Sequence, residues 1–146
     1  MTAHIKKYVR IYFLGVLALA VLFVWYGVST SAPNGTLTVA FLDVGQGDAI
    51  FIESPDKVQM LIDGGANRAV LSELSKVMPF YDRSIDVVLA THPDLDHIGG
   101  LPAVFQAFRV GAFFETPLTE ESDAQETLHR YVADEGIEKK SGGGGG

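Results

Sequence analysis

The sequence predicts an α/β domain preceded by one transmembrane helix, and three observations carry that prediction. An uncharged apolar run of about 18 residues, Ile11 to Val28, lies near the start of the chain. Short apolar runs bounded by Gly, Pro and Asp then alternate with segments of helical periodicity. The run Ile85 to Ala90 is nearly all apolar, as a strand buried on both faces is, and leads directly into His92-Pro93-Asp94-Leu95-Asp96-His97.

With 146 residues, 47% of them hydrophobic and 20% charged, the chain has room for one ordinary domain and is not wholly disordered. Its start is basic (His4, Lys6, Lys7, Arg10), as both a signal peptide and a signal anchor require. A signal peptide has an apolar region of about 7 to 15 residues, which this run exceeds, so an uncleaved anchor is expected over 8–28 after a basic tail at 1–7. Ser29-Thr30-Ser31-Ala32 would nonetheless suit cleavage. Tyr8, Tyr12, Trp25 and Tyr26 sit near the ends of the run, where interfacial aromatics collect. No polar face interrupts it, which speaks against a buried core helix. By the positive-inside rule the N-terminus stays in the cytoplasm, and the domain lies outside a cytoplasmic membrane crossed once.

All 18 acidic residues follow that segment together with eight of the 11 basic ones, leaving the remainder at −10. Such a surface disfavours nonspecific binding of nucleic acid. There is no cysteine, so a metal here must be held by imidazole and carboxylate. No motif for an organic cofactor is present.

Residues 29–35 are small and polar with Pro33 and Gly35, as suits a linker, and the domain is expected over 36–140. Thr36 to Val44 sets Leu37, Val39 and Phe41 on one face and runs into Asp43-Val44-Gly45-Gln46-Gly47-Asp48, a glycine-bearing turn before a second strand, Ala49 to Glu53. This predicts a β-hairpin whose Gly45 and Gly47 supply positive φ and nothing more. A third strand, Val58 to Ile62, follows Ser54-Pro55-Asp56 and ends at Asp63-Gly64-Gly65. Leu71, Leu74, Val77 and Met78 recur at helical spacing until Pro79. After the strand Ile85 to Ala90, Leu101, Val104, Phe105 and Phe108 predict a second amphipathic helix, Gly111 to Glu115 a short strand, and Thr119 to Glu135 a third helix. Thr119 would cap that helix, with Glu120, Glu121 and Asp123 in its first turn and Gly136 closing it. Residues 141–146 read as an unstructured Gly-rich tail.

The cluster His92 to His97 places four metal-capable side chains within six positions at a strand exit. His92 and Asp94, at i and i+2, would point the same way, while Asp96 and His97 belong to the next turn and could serve a second ion. Two-metal centres with ions about 3.5 to 4 Å apart generate a hydroxide nucleophile and stabilise developing negative charge. The helix starting near Gly99 and Gly100 would aim its amides at this region. A cap at Asp94 or Asp96 is the plain alternative, but two histidines bracketing two aspartates are poorly explained that way. His4 and His129 are expected to be ordinary surface residues.

Three motifs, Phe41-Leu42-Asp43-Val44-Gly45-Gln46-Gly47-Asp48-Ala49, Leu61-Ile62-Asp63-Gly64-Gly65 and Thr91-His92-Pro93-Asp94-Leu95-Asp96-His97-Ile98-Gly99-Gly100, resemble the metallo-β-lactamase superfamily, specifically its ComEC-like branch. The resemblance covers about Thr36 to Lys140 and implies the N-terminal half of an αββα sandwich with its metal centre at one edge of the two sheets. Where most members read His-x-His-x-Asp-His, this chain has Asp94 in the second histidine position, similar to the ComEC-like branch. Carried over, His92 and Asp94 would serve the first ion, Asp96 and His97 the second, with Asp96 also the catalytic carboxylate. Asp63 would stand behind the ligands and order their loop, with strand-end turn former as its plain alternative, and Asp43, Gly45, Gln46, Gly47 and Asp48 would flank the site. A carboxylate in place of an imidazole favours Mn²⁺ or Mg²⁺ relative to Zn²⁺, and the resemblance allows one or two ions.

The resemblance further implies later ligands, a histidine, a bridging strand-end Asp and a late histidine, that 36–140 does not supply. Two functions follow as expectations. One is a membrane-anchored metal-dependent hydrolase of phosphodiester or DNA-type substrates, active once a complementary C-terminal half completes it. The other is a catalytically incomplete fragment or split-protein half. A lactonase or lactamase type of hydrolase ranks below the first, because those enzymes usually keep the second histidine.

Overall fold

The computed structural model describes residues 2–31, 35–116, 123–134 and 136–141, in two compact units, 1–34 and 35–146. The first unit is a single helix, α1 (Thr2–Ser31). Within it Ile11–Ser29, 19 residues of mean hydropathy 2.3, is long and apolar enough to cross a membrane, and none of that stretch is buried. The helix outruns the expected anchor at both ends and takes in Ser29 to Ser31, which the sequence assigns to a linker. Ser29 helps: its hydroxyl donates back to the carbonyls of Trp25 (2.8 Å) and Tyr26 (3.1 Å), so a small polar residue continues the helix.

The second unit is a six-stranded sheet with the strands in chain order: β1 (Thr38–Phe41), β2 (Ile50–Glu53), β3 (Gln59–Ile62), β4 (Ser84–Ala90), β5 (Arg109–Glu115) and β6 (Glu138–Ser141). The first two pairings are antiparallel and the last three parallel. Each parallel step crosses over through helix: α2 (Ala69–Val77) between β3 and β4, α3 (Leu95–Ile98) and α4 (Leu101–Ala107) between β4 and β5, α5 (Asp123–Asp134) between β5 and β6. Right-handed crossovers advancing in one direction along a sheet put all these helices on the same face.

That face is the core. Ala40, Phe51, Leu61, Val88 and Phe113 stand opposite one another across five strands, and the last four are 1% exposed or less. Phe105 of α4 meets Phe113 edge to face at 5.6 Å between centroids. Leu74 of α2 and Leu128 of α5 close the layer. The opposite face carries two further apolar rows, Val39, Ile52, Met60, Val87 and Ala112, and Phe41, Ile50, Ile62, Leu89 and Phe114. Phe41 is 80% exposed and Val39 48%, and the others are half-buried. Leu37, Val39 and Phe41 thus share a face as their alternation predicts, but that face is the open one.

Helix ends follow local chemistry. The Asn67 side chain accepts from the Ala69 amide at 2.8 Å, and α2 stops at Val77 because Met78, the residue before Pro79, is held extended (φ −102, ψ 146). Gly136, at φ 64, closes α5: its amide bonds the Ala133 carbonyl and that of Ile137 the Val132 carbonyl. The expected cap at Thr119 and the acids Glu120 and Glu121 lie outside the described residues. β6 is absent from the sequence reading, and Ser141, assigned there to the tail, pairs opposite Glu115. Three polar residues, Glu138 to Lys140, give no apolar alternation to read; parallel pairing with β5 makes them a strand.

Candidate metal centre

Three glycine-bearing loops meet at the C-terminal ends of β3 and β4, and backbone hydrogen bonds tie them together. The Asp63 amide donates to Leu89 (2.8 Å), Gly64 to His97 (2.7 Å), Gly65 to Asp48 (3.0 Å), Ala66 to Gln46 (3.3 Å) and Gly100 to Gly65 (2.9 Å). The loop 42–49, the turn after β3 and the His92–Gly100 segment therefore form one assembly. Gly47 shows how tightly it is packed. It has φ 84, and a Cβ there would stand 1.6 Å from the Asp96 carbonyl oxygen, so the position needs both left-handed backbone and the missing side chain. Gly45, at φ 85, faces open space and supplies only its backbone conformation. The sequence treats the two glycines alike; the structure separates them.

Asp63 organises the side chains. It is 3% exposed and has φ 57, a left-handed conformation that Asp tolerates better than most residues. One carboxylate oxygen accepts from the Thr91 amide at 2.8 Å, and the other from the Thr91 hydroxyl at 2.5 Å and from His97 Nδ1 at 2.9 Å. An ionised carboxylate can only accept, so the His97 proton sits on Nδ1 and the neutral ring offers Nε2 as its donor atom. The hydrogen bond from His97 to Asp63 is the largest cause holding the His97 pKa above the usual imidazole value, and burial opposes it; the charge of Asp63 and those of Asp96 and Asp48 add to the rise. His92 lies alongside, its ring centroid 5.6 Å from that of His97 at an interplanar angle of 44°.

Asp94 occupies the N-cap position of α3 without a side-chain cap hydrogen bond, and Asp94, Asp96 and His92 are all exposed. The cap alternative for Asp94 therefore has no support. The amides expected to face an anion are otherwise engaged: His97 and Ile98 bond the Asp94 carbonyl, Gly99 that of Leu95 and Gly100 that of Gly65. α3 and the turn after β3 already use these donors, which corrects the expectation of an anion site at Gly99 and Gly100. In the flanking loop, Asp43 and Asp48 are exposed, and Asp48 and Gln46 serve the assembly through their backbone carbonyls.

A family model described as the metallo-beta-lactamase superfamily matches residues 42–140. The chain belongs to the metallo-beta-lactamase superfamily. No curated protein matches it. The match takes in all three glycine-bearing loops and leaves α1 outside. The domain is an α/β portion of that fold, one sheet with its helices, of a hydrolase-type family whose members usually bind divalent metals.

The donor types of this superfamily segment suit a divalent ion, since imidazole and carboxylate are both present. Their arrangement is less complete. Among the described residues no three His, Asp or Glu side chains converge to hold an ion; the two imidazoles are brought together, while Asp94 and Asp96 are not gathered with them into a ligand set.

The structure also assembles a pair that the sequence reading passed over. His129 of α5, expected on an open surface, is 21% exposed at its side chain, and its Nε2 lies 2.6 Å from Glu115 Oε2 at the end of β5. The only sequence signal was a Glu closing a strand and a His on the following helix. The His4 side chain lies outside the described residues.

Proposed function

We propose that this chain is a membrane-anchored, metal-dependent hydrolase of the ComEC-like branch, acting on phosphodiester or DNA-type substrates, with one or two divalent ions (Zn²⁺, Mn²⁺ or Mg²⁺) held by His92, Asp94, Asp96 and His97. The observation that carries the reading is the His92–His97 pair, two rings 5.6 Å apart with one of them fixed through Nδ1 by buried Asp63. A metal-binding histidine commonly has its other nitrogen held by a carboxylate in this way. Asp63 is then the residue that orients a ligand, and Asp96 the catalytic carboxylate. Asp94 in place of a second histidine supports the ComEC-like branch over lactonase or lactamase types. The excess of acidic residues after α1 supports a small phosphodiester over long DNA. The apolar stretch Ile11–Ser29 and the basic residues before it support a single-pass anchor with the domain outside the cytoplasm.

The test uses the full chain in detergent micelles, with bound metal measured by elemental analysis and hydrolysis of bis(p-nitrophenyl) phosphate followed with and without chelator. Metal uptake with chelator-sensitive cleavage, both lost in His97→Ala, is the expected result. Equal activity in that variant would overturn the site assignment.

A second reading is favoured by two specific observations: no three ligands converge among the described residues, and the second face of the sheet keeps Phe41 and Val39 exposed. The chain then works only with a complementary half laid over that face, and alone neither takes up metal firmly nor cleaves the ester. Stoichiometric metal in the isolated chain would count against it.

A further inference from the structure

The edge of the sheet at which the chain enters the domain carries exposed apolar side chains. β1 lies two antiparallel steps from β3 and so points the same way as β3, β4 and β5. Leu37 directly precedes β1, Val58 directly precedes β3 and Phe80 lies in the turn before β4; they are 60%, 53% and 71% exposed. We propose that this N-terminal edge rests on the surface of a phospholipid bilayer, with Leu37, Val58 and Phe80 at the boundary between head groups and acyl chains and Arg83 and Arg109 among the phosphates. The proposal rests on the single-pass anchor reading.

Bonds across the strand starts make the edge one surface. Asp82 ties the turn carrying Phe80 to two strands: its Oδ2 accepts from Gln59 Nε2 at the start of β3 and its Oδ1 from the Ser84 hydroxyl at the start of β4, both at 2.8 Å. Phe80 meets the neighbouring Tyr81 ring edge to face at 5.3 Å between centroids. Leu37 and Val58 stand two strand spacings apart, about 10 Å. Arg83 and Arg109 are exposed, the Arg109 amide donates to the Arg83 carbonyl at 2.8 Å, and the Arg83 guanidinium lies 5.8 Å from the Phe108 ring centroid.

Tether and charge single out lipid as the partner. The eight residues 30–37 separate the end of the apolar stretch from β1, a span of no more than about 30 Å, which keeps this edge within reach of head groups. Lys57, Arg83 and Arg109 nearly offset the carboxylates here, and two of those, Asp82 and Asp86, accept hydrogen bonds from Gln59. The opposite edge exposes Asp43, Asp48, Asp94 and Asp96, with no Lys or Arg in 42–50 or 91–100, so an anionic bilayer repels it. Apolar side chains flanked by basic ones are what an interfacial contact takes up. A consequence for the substrate follows. β4 separates the two edges by about 20 Å, so His92 stands clear of the lipid and the hydrolase takes its phosphodiester from solution, not from the membrane.

The chain has no cysteine, so single nitroxide labels can be placed at will. The full chain in nanodiscs of equal parts phosphatidylcholine and phosphatidylglycerol is labelled in turn through Leu19→Cys, Asp56→Cys and Asp43→Cys, and collisions with oxygen and with a water-soluble nickel chelate are read by electron paramagnetic resonance. Asp56 is an exposed residue of the turn between β2 and β3, on the proposed edge, and Asp43 an exposed residue beyond β1, on the opposite one. The label at 19 is expected in the acyl core and the label at 43 in water. The label at 56 loses nickel collisions and gains oxygen collisions, as at a contact whose apolar side chains reach about 5 to 10 Å into the boundary. Phe80→Glu restores nickel access at 56 to the level at 43, Phe80→Trp keeps the shielding, and Leu37→Glu, at a second exposed position, reproduces the release. Equal nickel access at 56 and 43 in the parent chain, or shielding at 56 that survives both glutamate variants, overturns the contact and leaves the anchor standing. A label at 19 open to nickel overturns both.

Discussion

Asp63→Asn is the sharpest perturbation, because one buried carboxylate holds the Thr91 amide, the Thr91 hydroxyl and His97 Nδ1 at 2.8, 2.5 and 2.9 Å. Hydrogen bonds to a charged acceptor contribute about 1.5 to 3 kcal/mol each, but removing the charge also removes its burial cost. Asn keeps the volume and tolerates φ 57, so the net loss of stability is about 1 to 3 kcal/mol. Asp63→Ala, which deprives three partly buried donors of their acceptor and strains the backbone, loses about 3 to 5 kcal/mol. Asn carries no charge, so the hydrogen bond from His97 weakens to one with a neutral acceptor and the attraction of the Asp63 charge is lost, and both of these raise the His97 pKa in the parent chain. The sign follows from linkage. A histidine whose pKa is raised on folding stabilises fully below its unfolded value, about 6.5, and that contribution is lost as pH rises through the folded pKa. Metal-free chain in micelles should therefore lose urea stability through that window, and Asp63→Asn should flatten the loss. The His97 C2–H resonance followed against pH gives the titration directly. An unchanged His97 midpoint in Asp63→Asn, or stability that climbs through the window in the parent chain, would refute the reasoning.

Gly47→Ala should destabilise by about 2 to 4 kcal/mol in urea titrations, since positive φ and the Asp96 carbonyl both oppose it, whereas Gly45→Ala should lose only about 1 kcal/mol from its backbone. Phe113→Ala empties the centre of the helix-covered face and should lose about 3 to 5 kcal/mol by the same measurement. Phe41→Lys, on the open face, should change stability by no more than about 0.5 kcal/mol while raising the concentration at which light scattering sets in. If α1 is the proposed anchor, Leu19→Arg in its middle should add about 2.5 to 3.5 kcal/mol to insertion and move the chain from the carbonate-resistant membrane fraction to the supernatant, and an unchanged distribution would refute the anchor.

Much of the fold was legible because local signals and tertiary contacts agree. The hairpin, β3, β4 and α4 fall within two residues of expectation at nearly every end, since each pairs an apolar run with a Gly, Pro or Asp stop. β1 is shorter, ending at Phe41, because the following residues turn toward the assembly instead of pairing. β6 was illegible because its strand character comes from β5 and not from its own polar residues. The candidate residues were legible as types. What Gly47 abuts and what His129 meets were not, since both depend on segments far away in sequence, Asp96 in one case and Glu115 in the other.

The open sheet face and the exposed candidate ligands share one physical root. A sheet covered on one face only keeps Phe41 and Val39 in solvent, where each square ångström of apolar surface forgoes about 25 cal/mol. The segment carrying His92, Asp94 and Asp96 follows β4 of that same sheet and runs into α3, and among the described residues these three side chains are exposed instead of gathered around an ion. His97 differs because Asp63 holds it from within the sheet's own assembly. In the proposed pairing with a complementary half, a second layer on the open face would bury the two apolar rows and bring new donors to the edge where His92 and His97 meet. On the proposed reading, stability and metal affinity should therefore rise together when a complementary half is added. A partner that raised the urea midpoint without raising metal affinity would separate the two and leave the His92–His97 pair as structure alone.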